Sequence, residues 1–138
     1  MTVYEELADR FIAAITGGDL DTLRAVYTPD ALIWHNGPGA GGGSEQRVED
    51  NLRTLRWLSA NLRGISYDEI RRDTLPSGFV QRHVLRGSLS DGTAIEVATC
   101  LFATVTEDGR ISRIEEYADT RGTDPLHALA AAQRAARR

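Results

Sequence analysis

In this sequence of 138 residues, the side chains best placed to move a proton at neutral pH are two of the three histidines, His83 and His35, and the carboxylates Glu116 and Asp119. An imidazole gives and takes a proton near neutrality without large tuning, so His83 is the first candidate for general acid–base work. It lies in a β-rich run where Gln81 and Leu85, two residues to either side, share its face. Glu116 would orient His83, or hold a proton itself where an apolar pocket disfavours its charge. Each has an ordinary alternative. His83 would serve as a buried histidine bonded to the scaffold, and Glu116 as a partner of Arg82 or Arg113.

Other chemistries find less support. Cys100 sits in the most apolar run, where a reactive thiolate lacks the electropositive setting it needs. His35, His83, Glu116 and Asp119 offer the elements of a two-histidine, carboxylate metal set. No pair has ligand spacing on a helix, so no metal is expected. All sixteen basic residues are Arg, which removes a lysine Schiff base. No glycine-rich loop joins a strand to a helix in a phosphate-binding pattern. No cofactor is expected.

These residues are positioned chiefly by one stretch, Phe79 to Asp119. Strands are expected at 79–89, 93–105 and 111–119, joined by Ser90-Asp91-Gly92 and Glu107-Asp108-Gly109. Asp-Gly between β-rich runs is a strong hairpin signal, because the turn that suits strand twist needs positive φ. Upstream, apolar residues at helical spacing from Val3 to Ile15 predict a helix stopped by Gly17-Gly18. Asp19 caps a second, to about Tyr27. Thr28-Pro29-Asp30 breaks the chain before a short strand, Ala31 to Trp34. Ser44 is the expected cap of a third helix reaching Leu62, on which Trp57 reads as packing. A strand follows at 65–74. After Asp119 come a polar linker and an Ala- and Arg-rich helix, 125–138. The glycine-rich segment 37–43 reads either as a flap beside a pocket or as a plain surface loop.

Segregated helices and an antiparallel sheet mean α+β. The strand 94–105 is apolar on both faces, so one face meets the helices and the other a second subunit. A homodimer through the sheet face is therefore expected. With 41% hydrophobic residues the chain can build a core, and a net charge of −4 argues against nucleic-acid and anionic-membrane partners. One cysteine and no membrane-spanning apolar run suit a soluble, cytoplasmic protein.

Several short motifs then fall in order: Gly18-Asp19-Leu20-Asp21, Pro29-Asp30-Ala31, Trp34-His35-Asn36, Asp108-Gly109-Arg110-Ile111 and Glu115-Glu116-Tyr117-Ala118-Asp119. With them the chain resembles the SnoaL-like branch of the nuclear transport factor 2-like superfamily. The resemblance implies a cone, a strongly curved mixed sheet wrapped over three N-terminal helices around an apolar pocket. The resemblance covers roughly residues 5–120, so a cone domain is expected over 1–122, with the Ala- and Arg-rich helical tail over 123–138. Members include polyketide cyclases, ketosteroid isomerases, limonene-epoxide hydrolases and binding proteins with no reaction.

Carried over by position, the epoxide hydrolases' water-holding Tyr and Asn fall on Trp34 and Asn36, and their Arg and Asp on Gln81 and His83. The Asp before an aromatic residue falls on Glu116 before Tyr117, where polyketide cyclases place their general acid. A ketosteroid isomerase would want a Tyr where this chain has Phe11. The resemblance thus assigns Trp34, Asn36, Gln81 and Tyr117 to the substrate, with His83 and Glu116 catalytic. His35 has the opposite parity to Trp34 and should point away, unless a bulge re-aims it into the site.

The expectation is a cofactor-free acid–base enzyme of isomerase, cyclase, dehydratase or epoxide-hydrolase type, acting on an apolar cyclic molecule. The alternatives are a binding protein of the same fold, or an accessory protein whose pocket is filled by its own side chains.

Overall fold

The computed structural model describes residues 2–37 and 42–138. The expected helical spacing forms α1, Val3–Thr16, which buries Leu7, Phe11 and Ile15. Thr2 opens it with a capping box: its hydroxyl accepts from the Glu5 amide while the Glu5 carboxylate accepts from the Thr2 amide. Asp19 caps α2, Leu20–Val26, as its spacing predicts.

From there the boundaries differ from those expected. Strand β1 runs Tyr27–Asn36, so Thr28-Pro29-Asp30 lies inside it rather than breaking the chain. Its register with the neighbouring strand slips between Tyr27 and Leu32, which absorbs the proline. The segment at Ser44 is a strand, β2 (Gly43–Arg47), and not a helix cap. Helix α3 then spans Val48–Asn61, with Arg47 at the cap position and no side-chain cap bond. The remaining strands are β3 (Arg63–Leu75), β4 (Gly78–Ser88), β5 (Ala94–Val105) and β6 (Ile111–Ala118). Asp119 directly caps α4, Thr120–Ala136, with no linker between, and Pro125 falls within that helix. Of the glycine-rich segment, 38–41 lies outside the described residues, and so does its expected role as a flap.

The sheet order is β2-β1-β6-β5-β4-β3. All neighbours are antiparallel except β1 and β6, which run parallel. The architecture is the α+β cone. The main core joins α1, α2 and α3 to the inner face of the sheet through residues such as Phe11, Leu23, Ile33, Leu52, Phe79 and Ile114. A second cluster, Leu62, Leu89, Ile95, Val97 and Leu126, seats α4 on β5 with Trp57 against it. Close seating requires Gly122, since a Cβ there would lie 2.5 Å from the Glu96 carbonyl oxygen. The Trp57 indole donates to Gln133 at 2.7 Å, and Gln133 donates to Asn61 at 2.8 Å, which ties the far end of α4 to α3.

β5 alternates: Ile95, Val97, Thr99, Leu101 and Ala103 are buried, whereas Ala98 and Phe102 are exposed. Among the described residues no helix is long and apolar enough to cross a membrane.

Candidate active site

Between the inner face of the sheet, α3 and α4 lies a cavity of about 880 Å³, partly open to solvent. Its walls include Phe11, Tyr27, Ile33, Leu101 and Ile114, so most of the lining is apolar. Polar groups enter it from two sides: from α3 and α4, which bring Asn51, Arg53, His127 and Arg134 among others, and from the sheet, where neighbouring strands line up. Across the ladders Gln81 pairs with Leu101, Leu101 with Glu116, and Glu116 with His35; one row away His83 pairs with Thr99, and Thr99 with Ala118. Strand pairing thus sets His35, Glu116, Thr99 and His83 on one concave surface, and all four line the cavity.

His83 is 5% exposed and held on two sides. The Tyr67 ring stacks on it with centroids 4.4 Å apart. Its Nδ1 lies 2.9 Å from Gln81 Nε2. Arg72 Nε donates to Gln81 Oε1 at 2.6 Å, and an Arg72 terminal nitrogen donates to Asp9 at 2.5 Å. A guanidinium can only donate, so Gln81 must present its oxygen to Arg72 and its NH2 to His83. Nδ1 is therefore the acceptor, and the neutral ring carries its proton on Nε2. Burial pushes the His83 pKa down; the Glu116 charge opposes this, the Arg72 cation adds to it, and the net shift is downward.

His35 behaves in the opposite way. Its Nε2 lies 3.2 Å from Glu116 Oε2, with both side chains about one-third exposed or less. Burial pulls its pKa down, but the hydrogen bond and charge of Glu116 outweigh this and raise it overall. Tyr67, half-buried in the cavity wall, has its phenol pKa pushed up by burial and then by Glu116, so it stays protonated. On the sheet side the cavity therefore presents one carboxylate, Glu116, one imidazole that favours its charged form, His35, and one that favours its neutral form, His83; a third imidazole, His127 of α4, also lines it.

The other expected site residues sit differently. Trp34 and Tyr117 lie on the outer face, their rings 5.1 Å apart and tilted by 59°, because the parallel register pairs Trp34 with Glu115 and not with Glu116. It is His35 that points inward, the reverse of the expected parity. Asn36 reaches the cavity wall, yet both ends of its amide are engaged by the backbone of Ala118, at 2.8 and 3.0 Å. Gln81 is fully buried behind His83 and is not among the cavity-lining residues. Asp119 caps α4, and Cys100 lies on the outer side, opposite Tyr117. Among the described residues no group of His, Cys, Asp and Glu is arranged to hold a metal.

Tyr67, Arg72 and Thr99 were not singled out from sequence. Tyr67 and Arg72 are of opposite parity yet reach the same face. A bulge between Asp68 and Arg71 sets three steps of β3 against two of β4, with Glu69 at φ 55°. No glycine marks that bulge in the sequence.

Residues 8–114 match the model of the SnoaL-like domain. The chain belongs to the SnoaL-like family. Solved structures of similar fold include the BvnE pinacolase from Penicillium brevicompactum, 16% identical, covering 96% of this chain and 97% of that one with a TM-score of 0.77. IdmH from Streptomyces antibioticus, a proposed polyketide cyclase, is 22% identical over 92% of this chain and 98% of its own, at 0.70. An epoxide hydrolase of Mycobacterium tuberculosis, described as LEH-like, is 19% identical over 94% and 93%, at 0.68. At these identities the likeness is one of fold. No curated protein matches the sequence. In this SnoaL-like chain, then, the cavity chemistry rests on its own residues.

Proposed function

We propose that this protein is a cofactor-free acid–base enzyme that shifts a proton on an apolar, ring-bearing substrate carrying a carbonyl. Glu116 takes the proton from the carbon next to the carbonyl. His83, neutral, donates from Nε2–H to the carbonyl oxygen as negative charge develops there, a role a neutral imidazole can fill. His35, bound to Glu116, keeps the carboxylate oriented and supplies a proton for the return step. One observation supports this reading: on the sheet wall of a largely apolar cavity, His35 and His83, with opposite protonation preferences, flank Glu116. Environments that push titrating groups apart mark acid and base roles.

Isomerisation and cyclisation, which need only proton transfer, fit better than water addition. The group expected to hold water, Asn36, has its amide bonded to Ala118, and Trp34 faces outward. The same occupied amide also favours the alternative of a binding protein over a hydrolase. The experiment is hydrogen exchange of 2-tetralone in deuterated buffer, followed by NMR. The wild-type protein should accelerate loss of the α-hydrogens, and Glu116→Gln should lower that rate about 100- to 10,000-fold. Binding without exchange above the buffer rate would leave the binding-protein alternative.

The outer face supports the proposal of a homodimer. Phe102 and Tyr117 are 43% and 47% exposed and pack edge to face, with Trp34 beside them. A second copy laid on this face would take the aromatic cluster out of water.

A further inference from the structure

A residue that lines the cavity and is also exposed to solvent marks its opening. On the helix side these residues are Arg53 and Thr54 of α3 and His127, Arg134 and Arg137 of α4. His127, Ala130, Arg134 and Arg137 fall at i, i+3, i+7 and i+10 and all line the cavity, so one stripe of α4 forms this wall. Arg53 stands one turn before Trp57 and Arg137 one turn after Gln133, the two residues whose hydrogen bond joins the helices. The charge at this opening inverts that of the chain. Acidic residues outnumber basic ones overall, 20 to 16, yet among the described residues the lining holds three arginines and one carboxylate, Glu116. Arg53 pairs with Asp50, whereas Arg134 and Arg137 make no ion pair among the described residues. From Pro125 to Arg138 there is no Asp or Glu, so nothing within a turn on α4 offsets them. Arginines near a helix C-terminus favour its dipole from any side of the helix; these two lie on the side that lines the cavity.

We propose that this rim is a subsite for an anionic group, a carboxylate or a phosphate ester, carried on the end of the ligand that stays at the opening. The proposal rests on the acid–base reading of the same cavity and narrows its substrate to an amphipathic molecule, a ring system with the carbonyl inside and the acid at the mouth. Guanidinium forks match either anion with two parallel hydrogen bonds. Being exposed, they meet it without the desolvation cost of a buried ion pair. Glu116 sets the orientation. An anion carried into the apolar cavity beside that carboxylate would be repelled, so the acid stays at the mouth and the neutral end enters.

The test uses 2-naphthylacetate, 2-naphthyl phosphate and the neutral 2-naphthylacetamide, titrated into the protein by calorimetry near neutral pH. The three share one ring system and differ in the charged group. At low salt an anion should bind about 5- to 30-fold more tightly than the amide, and the tighter of the two names the anion. In about 0.5 M NaCl the margin should fall to about 2-fold or less. Replacing both Arg134→Gln and Arg137→Gln should remove the preference and leave the amide's affinity unchanged. The same loss of charge at Arg10 and Arg121, which do not line the cavity, should keep it. No binding of either anion, equal affinity for anions and amide, or a preference that ignores salt, survives loss of Arg134 and Arg137 or disappears with Arg10 and Arg121 would overturn the subsite. If the Arg134/Arg137 variant does not fold, the salt series on the wild-type protein decides alone. No turnover is read. A protein that shows the preference but does not exchange the α-hydrogens of 2-tetralone keeps the subsite and loses the acid–base reading, and the converse result keeps that reading and loses the subsite.

Discussion

His35 Nε2 sits 3.2 Å from Glu116 Oε2, and the two residues are direct partners in the parallel β1–β6 ladder. The pair is therefore built into backbone register and does not depend on long side chains finding each other. Glu116 also acts on the rest of the cavity: its charge raises the His35, His83 and Tyr67 pKa values.

Glu116→Gln should lower the pKa of His35 and of His83, His35 more, since it loses a hydrogen bond as well as a charge. Long-range 1H–15N spectra across pH 4 to 9 would show it. The stability effects have opposite signs. His35, raised on folding, stabilises below its unfolded pKa of about 6.5, and that contribution fades as pH rises through its folded value. His83, lowered on folding, contributes above about 6.5, and that is lost as pH falls toward its folded value. In Glu116→Gln, denaturant melts should show the gain at low pH gone and the loss on acidification extended. Unchanged titration of His35 in the variant would refute the pairing.

Gln81→Leu removes the link between Arg72 and His83. Arg72 Nε is left in a half-buried site without its acceptor, at a cost of about 1–3 kcal/mol. The same change frees His83 to exchange tautomers. In wild type its 15N shifts should report an unprotonated Nδ1 throughout the neutral range. The variant should show averaged shifts and lose ketone exchange with little change in ligand affinity.

Gly122→Ala places a Cβ 2.5 Å from the Glu96 carbonyl and 3.1 Å from Val97 Cα, both backbone atoms that cannot swing aside. Helix α4 must lift from β5, costing about 1–3 kcal/mol as overpacking does. Limited proteolysis should cut within 120–136 sooner than in wild type, and a fluorescent apolar probe should exchange from the cavity faster. Equal cleavage rates would mean that α4 is not held by this contact.

Phe102→Glu on the outer face should convert a dimer to a monomer, read by light scattering, while circular dichroism stays unchanged. Repulsion between charges brought together at the interface drives the separation. A wild-type protein that is already monomeric at high micromolar concentration would dispose of the dimer.

The meander was legible because Asp91-Gly92 and Asp108-Gly109 carry their geometry locally, and both glycines adopt positive φ, 88° and 82°. Helix α1 was legible for the same reason, through its spacing and its termini. Strand β2 was not. Its residues are polar and mostly exposed, and only pairing with β1 makes them a strand. The faces of β1 were misassigned because parity says which residues share a side, and only the register with β6 says which side is inner. His35 therefore exchanged places with Trp34. That His83 and Glu116 would lie at the cavity could be read from residue type and family position. That Glu116 answers to His35, and that Arg72 turns Gln81 so as to fix the His83 tautomer, needed contacts between neighbouring strands.

The extra residue in β3 lets one strand serve the cavity twice, with Tyr67 stacked on His83 and Arg72 fixing Gln81 behind it. Arg86 clasps the bulge through Asp68 and Glu69, at 3.1 and 2.8 Å. A single-codon deletion there would leave every cavity residue in the gene and yet swap inside for outside along half the strand. The chain could keep Tyr67 facing in or Arg72 facing in, not both. Lineages that gain or lose that one codon would be expected to differ in the protonation habits of the pocket while their sequences align almost without substitution.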